Sequence, residues 1–411
     1  MSDVRAGRAS GGVSAPVGHA NAILKRALQN ITVEIVEPTR LRDLQAGWAE
    51  LLGRAEAPNV FMDPALIAAA AEAAPETPQR VLAAWKPIEG RRRLVGLWAF
   101  AIGPARWSML PLKALSAPTF AHCYLATPVI DRNHLEDTLE AMLDCVADDP
   151  RLPKVIALDA IATEGTTYAA LVRVLAERGS TPCVFEQARR PALASTLDGK
   201  SYLAQALSAS SRKKLRQHRR RLAEKGTLRF VIDSEPATMR DALEQFLAME
   251  AAGWKGRQGT ALLSDPSDAA FIRGAVGALA DHGSAAIHSL QLDGTPVSMQ
   301  IVVRAGSVAF TWKTTYDEAF QDFSPGMLLL EDYTAAFLAD KSIALVDSCS
   351  FDDSGFMGVW TERQAVADLW IDARRGGSLE FRALSGLQKS YRDARAAAKT
   401  MYLKWRKARG R

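Results

Sequence analysis

The chain has 411 residues, 48% hydrophobic and 24% charged, the composition of a folded globular protein and a length that calls for two cores rather than one. Its net charge of +5 is unevenly spread: residues 381–411 hold ten Lys/Arg against Asp393 alone, or +9, which leaves −4 for the rest. No run approaches the ~18 apolar residues of a membrane span, the first thirty residues lack an apolar signal core, and the four cysteines show no CxxC spacing, so a membrane span, a secreted disulfide scaffold and a metal site are not expected and a cytoplasmic protein is.

Residues 1–30 are rich in Gly, Ala and Ser and read as disordered, with a short helix near Ala22–Leu28. "ITVEIV" (31–36) predicts the first strand, followed by helices over 41–54 and 64–74, the second with Asp63 as N-cap and Pro64 at its first position. "VLAAWKP" and "LVGLWAFAI" flank "IEGRRR" as a hairpin. A helix (134–147), a strand (154–161), a helix (165–178) and a strand (182–187) then alternate, which favours a mixed sheet covered by helices. Residues 31–190 thus form a first domain.

The second domain, 191–380, repeats these ingredients. "SSRKKLRQHRRRLAEK" predicts a strongly basic helix over 209–225, with Leu215 and Leu222 on one face. A strand (227–233), a helix (237–252), the loop "GWKGRQGTAL" and a helix (266–281) precede the meander "AAIHSLQL", "PVSMQIVVR", "SVAFTWKT", with turns at Asp293-Gly294 and Ala305-Gly306. A helix over 325–339 and the strand "IALVD" (343–347) close a crossover whose strands should be parallel. The tail, 381–411, reads as a basic amphipathic helix: Leu384, Leu387, Tyr391, Ala394, Ala398, Tyr402 and Trp405 make an apolar stripe for docking on the domain or for an anionic membrane surface.

At "FQDFSPGMLLLEDY", Ser324 suits an N-cap, Pro325 the first helical position, and Phe323 and Leu328 a hydrophobic staple. Gly326 offers no side chain, and the N–H groups of Gly326 and Met327 have no partner within the helix, the setting in which a phosphate binds. The histidines at 122, 134, 218, 282 and 288 show no metal spacing.

The segment from Asp293 to Leu338, with Tyr316, Asp317, Phe320, Ser324, Pro325, Gly326 and Leu329 in the pattern Y-D-x-x-F-x-x-x-S-P-G-x-x-L, resembles the GNAT acyltransferase superfamily. Within it the chain is similar to the branch of cellulose-biosynthesis acetyltransferase-like proteins and Fem-type aminoacyl ligases, over about residues 195–372. The glycine-rich Q/R-x-x-G-x-G/A of simpler GNAT enzymes is absent, and Phe356-Met357 stand where relatives carry a Tyr-Lys pair. The resemblance implies an α/β fold of tandem GNAT-like domains, each a mixed sheet flanked by helices. It also implies acetyl-coenzyme A or another acyl-coenzyme A, with Thr314, Ser324, Pro325, Gly326 and Met327 around it. Asp347 is then the first choice for general base, Glu250 the second, and Tyr316 the acid that protonates the thiolate. Trp254, Lys255 and Arg257 would wrap a small-molecule or glycan acceptor related to the cell envelope. Two alternatives remain open: a Fem-type transferase using charged tRNA, and a GNAT-fold scaffold without catalysis.

Overall fold

The computed structural model describes residues 30–105, 108–109, 112–351 and 356–409. The N-terminal stretch expected to be disordered, including Ala22–Leu28, lies outside the described residues but for Asn30. In chain order the first half runs β1 (Thr32–Val36), α1 (Gln45–Leu52), α2 (Pro64–Ala73), β2 (Gln79–Ile88), β3 (Arg91–Pro104), β4 (Lys113–Ala117), β5 (Val129–Ile130), α3 (Leu135–Asp148), β6 (Val155–Ala162), α4 (Thr166–Glu177) and β7 (Cys183–Leu193). The second half runs α5 (Gly199–Ala206), α6 (Ala209–Ala223), β8 (Leu228–Asp233), α7 (Pro236–Ala252), the single turn α8 (Trp254–Arg257), α9 (Pro266–Asp281), β9 (Ala285–Leu292), β10 (Thr295–Ala305), β11 (Val308–Tyr316), α10 (Pro325–Ala339), β12 (Leu345–Asp347), β13 (Glu362–Asp372) and α11 (Leu379–Arg409).

Local chemistry accounts for most of these boundaries. Asp63 caps α2 by accepting from the Ala65 N–H, with Pro64 next to it. Asp293 and Gly294 both hold positive φ, +50° and +82°, which joins β9 to β10 with the hand of twist that a tight hairpin needs. β11 and β12 are parallel across α10, as the crossover requires.

All thirteen strands belong to one mixed sheet, in the order β1-β2-β3-β4-β6-β13-β7-β12-β11-β10-β9-β8, with β5 beside β3. The order departs from two self-contained domains. β13, from the second half, is antiparallel to both β6 and β7, and β7, from the first half, pairs β12. The expected boundary at 190/191 therefore cuts through β7, and each half completes the sheet of the other. Sequence reading missed β4, β5, α5 and β13 and ended β7 six residues early.

Helices cover both faces. α3 and α4 pack on the first-half strands around Trp98, Leu139, Leu143 and Leu171. α2 of the first half packs with α7 and α9 of the second around Phe61, Phe246, Phe271 and Phe310, so this core belongs to both halves. On the opposite face of the second half, α5, α6 and α10 enclose Leu222, Leu290, Tyr333 and Trp360. α5 approaches α10 so closely that a Cβ at Gly199 would stand 2.6 Å from the Ala335 Cα.

α11 corrects the reading of the tail. It docks through Phe381, Ser385 and Gln388, all buried, over its first turns only. Leu387, Tyr391, Tyr402 and Trp405 of the expected stripe are exposed, and the helix continues past Arg392 without a buried residue among those described.

Candidate active site between the halves

β11 and β12 stay paired only as far as Phe310↔Asp347, after which β11 runs on to Tyr316 with β10 on one edge and no strand on the other. Trp312 has no partner on β10, where Ile301 faces Lys313 and Val302 faces Thr311; it is the extra residue of a β-bulge. The sheet therefore opens at the end of β11. The chain then turns through Asp317, whose carboxylate accepts from the Ala319 N–H, and enters α10.

The entry is built differently from expectation. Ser324 has φ +50° and ψ +56° and makes no side-chain cap; its carbonyl accepts from Met327 (3.0 Å) and Leu328 (3.2 Å) instead. Left-handed backbone at a non-glycine residue costs about 1 kcal/mol or more, and here it makes the strand-to-helix turn sharp. The Met327 N–H is thus occupied, while that of Gly326 has no partner among the described residues. Phe323 and Leu328 are both buried in one cluster. A Cβ at Gly326 would meet nothing within 4 Å, because that side of the helix faces a cavity.

The cavity is about 390 Å³ and is lined by Glu250, Gly253, Trp254, Lys255, Thr314, Thr315, Tyr316, Gln321, Ser324, Pro325, Gly326, Met327 and Phe356. Nine residues singled out in the sequence meet there: Glu250, Trp254, Lys255, Thr314, Tyr316, Ser324, Pro325, Gly326 and Met327. Arg257 does not; it is exposed and forks onto the Glu318 carboxylate at 3.0 and 2.7 Å. Two exposed cations, Arg221 of α6 and Lys225 in the turn after it, stand over the Phe323 ring at 5.4 and 5.6 Å, beside the start of α10.

Both carboxylates proposed as bases are already committed. Asp347 is fully buried against Arg190, and its other oxygen accepts from the Cys349 N–H at 2.8 Å. Arg190 also donates to the Tyr124 carbonyl at 2.8 Å. A fully enclosed carboxylate paired to a guanidinium holds the halves together and is out of a substrate's reach. Glu250 is buried too: Oε1 accepts from Lys255 Nζ (2.7 Å) and Oε2 from the Leu262 N–H (2.8 Å). Lys255 in turn donates to the Thr314 carbonyl at 3.0 Å, so it braces the end of β11 rather than standing free for an acceptor. Tyr316 lines the cavity with its hydroxyl unpaired among the described residues.

A second group was not singled out in the sequence. Lys313, on the parted stretch of β11, lies 2.7 Å from the Tyr124 hydroxyl and 2.9 Å from His122 Nδ1. His122 Nε2 stands 3.0 Å from the Asp268 carboxylate at the start of α9. Burial, with Lys255 nearby, lowers the Lys313 pKa to about 8, and burial and Lys313 push that of His122 down. His122 and Tyr124 come from the loop after β4, held across the halves by the Trp312 indole donating to the His122 carbonyl at 2.7 Å. Tyr124 also lines a second cavity of about 490 Å³, with Asp159, Glu186 and Asp368 on its walls. The one signal available earlier was a lysine inside the otherwise uncharged run "SVAFTWKTTY". Among the described residues, no group of three or more His, Cys, Asp or Glu is arranged to hold a metal, and no helix is long and apolar enough to cross a membrane.

Residues 209–350 match the family described as "Acetyltransferase (GNAT) domain". No curated protein matches the chain. Among solved structures, FemX is similar over 87% of this chain and 100% of its own, at 13% identity and a TM-score of 0.54. A tandem GNAT protein from the clavulanic acid biosynthesis pathway aligns over 85% of this chain and 99% of its own, at 11% identity and a TM-score of 0.40. At 13% identity the first likeness speaks to fold, and it spans both halves. Residues 209–350 thus carry a match to the GNAT domain, and the chain as a whole shares the fold of FemX across both halves.

Proposed function

We propose that the chain transfers an acyl group from acyl-coenzyme A, acetyl-coenzyme A in the first instance, to an amine on a cell-envelope or polysaccharide-related acceptor. The observation that carries this reading is the start of α10: a bare Gly326, with its N–H unpartnered among the described residues, opens on a cavity of about 390 Å³ within the matched GNAT segment. The helix dipole and that N–H favour a pyrophosphate there, and Arg221 and Lys225 stand where further phosphate charge would lie. The pantetheine arm then runs along the edge of β11 that β12 leaves past Phe310, where backbone N–H groups facing away from β10 can polarise the thioester carbonyl. Tyr316 is placed to protonate the leaving thiolate. The acceptor comes from the side of the second cavity, which Tyr124 borders.

Titration calorimetry of acetyl-coenzyme A tests this. The native chain should bind one equivalent. Gly326→Glu should keep the fold, since its Cβ meets nothing within 4 Å, and lose at least about 100-fold in affinity, ~2.8 kcal/mol, because the new carboxylate fills the cavity and repels phosphate. Equal binding by both proteins would remove α10 as the cofactor site. The six exposed cations of α6 and the turn after it (Lys213, Lys214, Arg216, Arg220, Arg221 and Lys225) favour charged tRNA as a second reading. Salt-sensitive tRNA binding without coenzyme A binding would select it.

A further inference from the structure

We infer that Lys313 is the general base of the acyl transfer and that His122, Tyr124 and Asp268 position it, so that the reacting centre is shared between the two halves. The inference rests on the acyl-coenzyme A reading above. Its first support is location. Lys313 sits on β11 just past the point where β12 leaves it, one residue before Thr314, which lines the coenzyme cavity. Its ammonium nitrogen touches the hydroxyl of Tyr124, which lines the second cavity. Glu250 and Lys255, which line the first cavity, lie near enough to act on its charge, and Tyr124, which lines the second, bonds it.

The second support is elimination by geometry. Glu250 and Asp347 have both oxygens taken, by Lys255 and the Leu262 N–H in one case and by Arg190 and the Cys349 N–H in the other. Lys313, by contrast, is held by neutral groups. A His122 imidazole protonated on Nε2, towards Asp268, presents the Nδ1 lone pair to Lys313, and the phenol oxygen of Tyr124 accepts as well. These contacts fix the nitrogen without the direct carboxylate that would lock its proton in place.

The third support is electrostatic. The titratable groups around Lys313 are Glu250 at the end of α7, Lys255 in α8, Asp268 on α9 and the Cys349 thiol beyond β12. Burial and Lys255 lower its pKa and the other three raise it, leaving it at about 8. A base in that range takes a proton near neutral pH and releases it to solvent.

The step balances as follows. The acceptor nitrogen attacks the thioester carbonyl carbon and forms the N–C bond, and its proton passes to the neutral Lys313 nitrogen. The C–S bond breaks, the sulfur leaves with the bonding pair, and the Tyr316 hydroxyl gives it a proton, later regained from solvent.

Competitive labelling of the intact protein with trace acetic anhydride, read by peptide mass spectrometry from about pH 6 to pH 11, tests the assignment without a known acceptor. Lys313 should label with a midpoint near 8, against about 10.4 for surface lysines such as Lys213. Saturating coenzyme A should suppress the label. Asp268→Asn, which removes a charge that raises the Lys313 pKa, should move the midpoint lower still, a shift that a purely structural aspartate would not cause. An ordinary midpoint, no label at any pH, or labelling indifferent to coenzyme A would overturn the role. Calorimetry on the same preparation separates the two failures: coenzyme A binding with an ordinary Lys313 sinks the base and spares the acyl-coenzyme A reading, whereas a low midpoint without coenzyme A binding sinks both.

Discussion

The same connection is made twice in this molecule and used in opposite ways. In each half an antiparallel meander ends in a strand, the chain crosses through a helix, and the next strand returns parallel: β4 to β6 through α3, and β11 to β12 through α10. In the second half the link is short and ends in Ser324-Pro325-Gly326, and the first turn of α10 carries no acid. In the first half the link is the long loop holding His122 and Tyr124, and α3 opens with Glu136 and Asp137. Two carboxylates at a helix N-terminus answer the dipole themselves and repel phosphate. One link leaves a helix start open to a cavity; the other crosses the cleft and supplies side chains to its partner. The topology fixes where a site can be, and the residues at the helix start decide which half has one.

The largest effect expected from breaking this asymmetry is on the anchor of the crossing loop. Asp347→Asn leaves the Arg190 guanidinium buried without its partner, and Arg190 also holds the Tyr124 carbonyl. Urea denaturation should show a loss of about 3–5 kcal/mol. A change below about 1 kcal/mol would mean that the pair is solvated and the loop is tied down elsewhere.

Next comes Lys313. Its folded pKa of about 8 lies below the unfolded value of 10.5, so the folded state binds fewer protons between those pH values. The group therefore destabilises the fold below about pH 8, and the penalty is relieved as pH rises towards 10.5. Lys313→Met removes up to about 3 kcal/mol of that penalty and loses two hydrogen bonds of ~1 kcal/mol each. The variant should be about 1 kcal/mol more stable at pH 7, with the gain fading at alkaline pH. Destabilisation at pH 7 that persists at pH 10 would show that the lysine serves the fold rather than the chemistry.

The smallest effect on the fold is expected at the tail. A chain ending at residue 393 keeps the docked face Phe381, Ser385 and Gln388, so its melting temperature should match that of the full chain. If the exposed Tyr402 and Trp405 and the surrounding cations meet an anionic membrane, only the full chain should sediment with vesicles rich in phosphatidylserine. Equal sedimentation of both would sink that role.

Much of the second half could be read from its sequence because its signals are local. α10 begins and ends where Pro325 and Asp340 allow, and β9, β10 and β11 alternate and turn at glycines. The residues singled out around α10 lie close in sequence or on adjacent elements, so nine of them meet in one cavity. What was hidden is long-range. Lys313 and His122 are 191 positions apart, and nothing in either segment names the other. Asp347 looked catalytic because it ends the strand that follows α10; only the pairing of β7 shows Arg190 beneath it. β13 escaped because Asp368 interrupts its alternation at a bulge, where its carboxylate accepts from the Ala160 N–H at 2.9 Å.

That late strand has a consequence for how the protein is made. β6 and β7 leave the ribosome long before β13, which pairs with both. At about 5–20 residues per second, the roughly 170 residues between β7 and β13 take on the order of 10–30 s. Throughout that interval the nascent first half carries two unsatisfied strand edges, each a template for pairing with another chain. Slow codons or heat shock should therefore harm this protein while it is still tethered, and a chaperone that shields strand edges should matter more to its yield than to its finished stability.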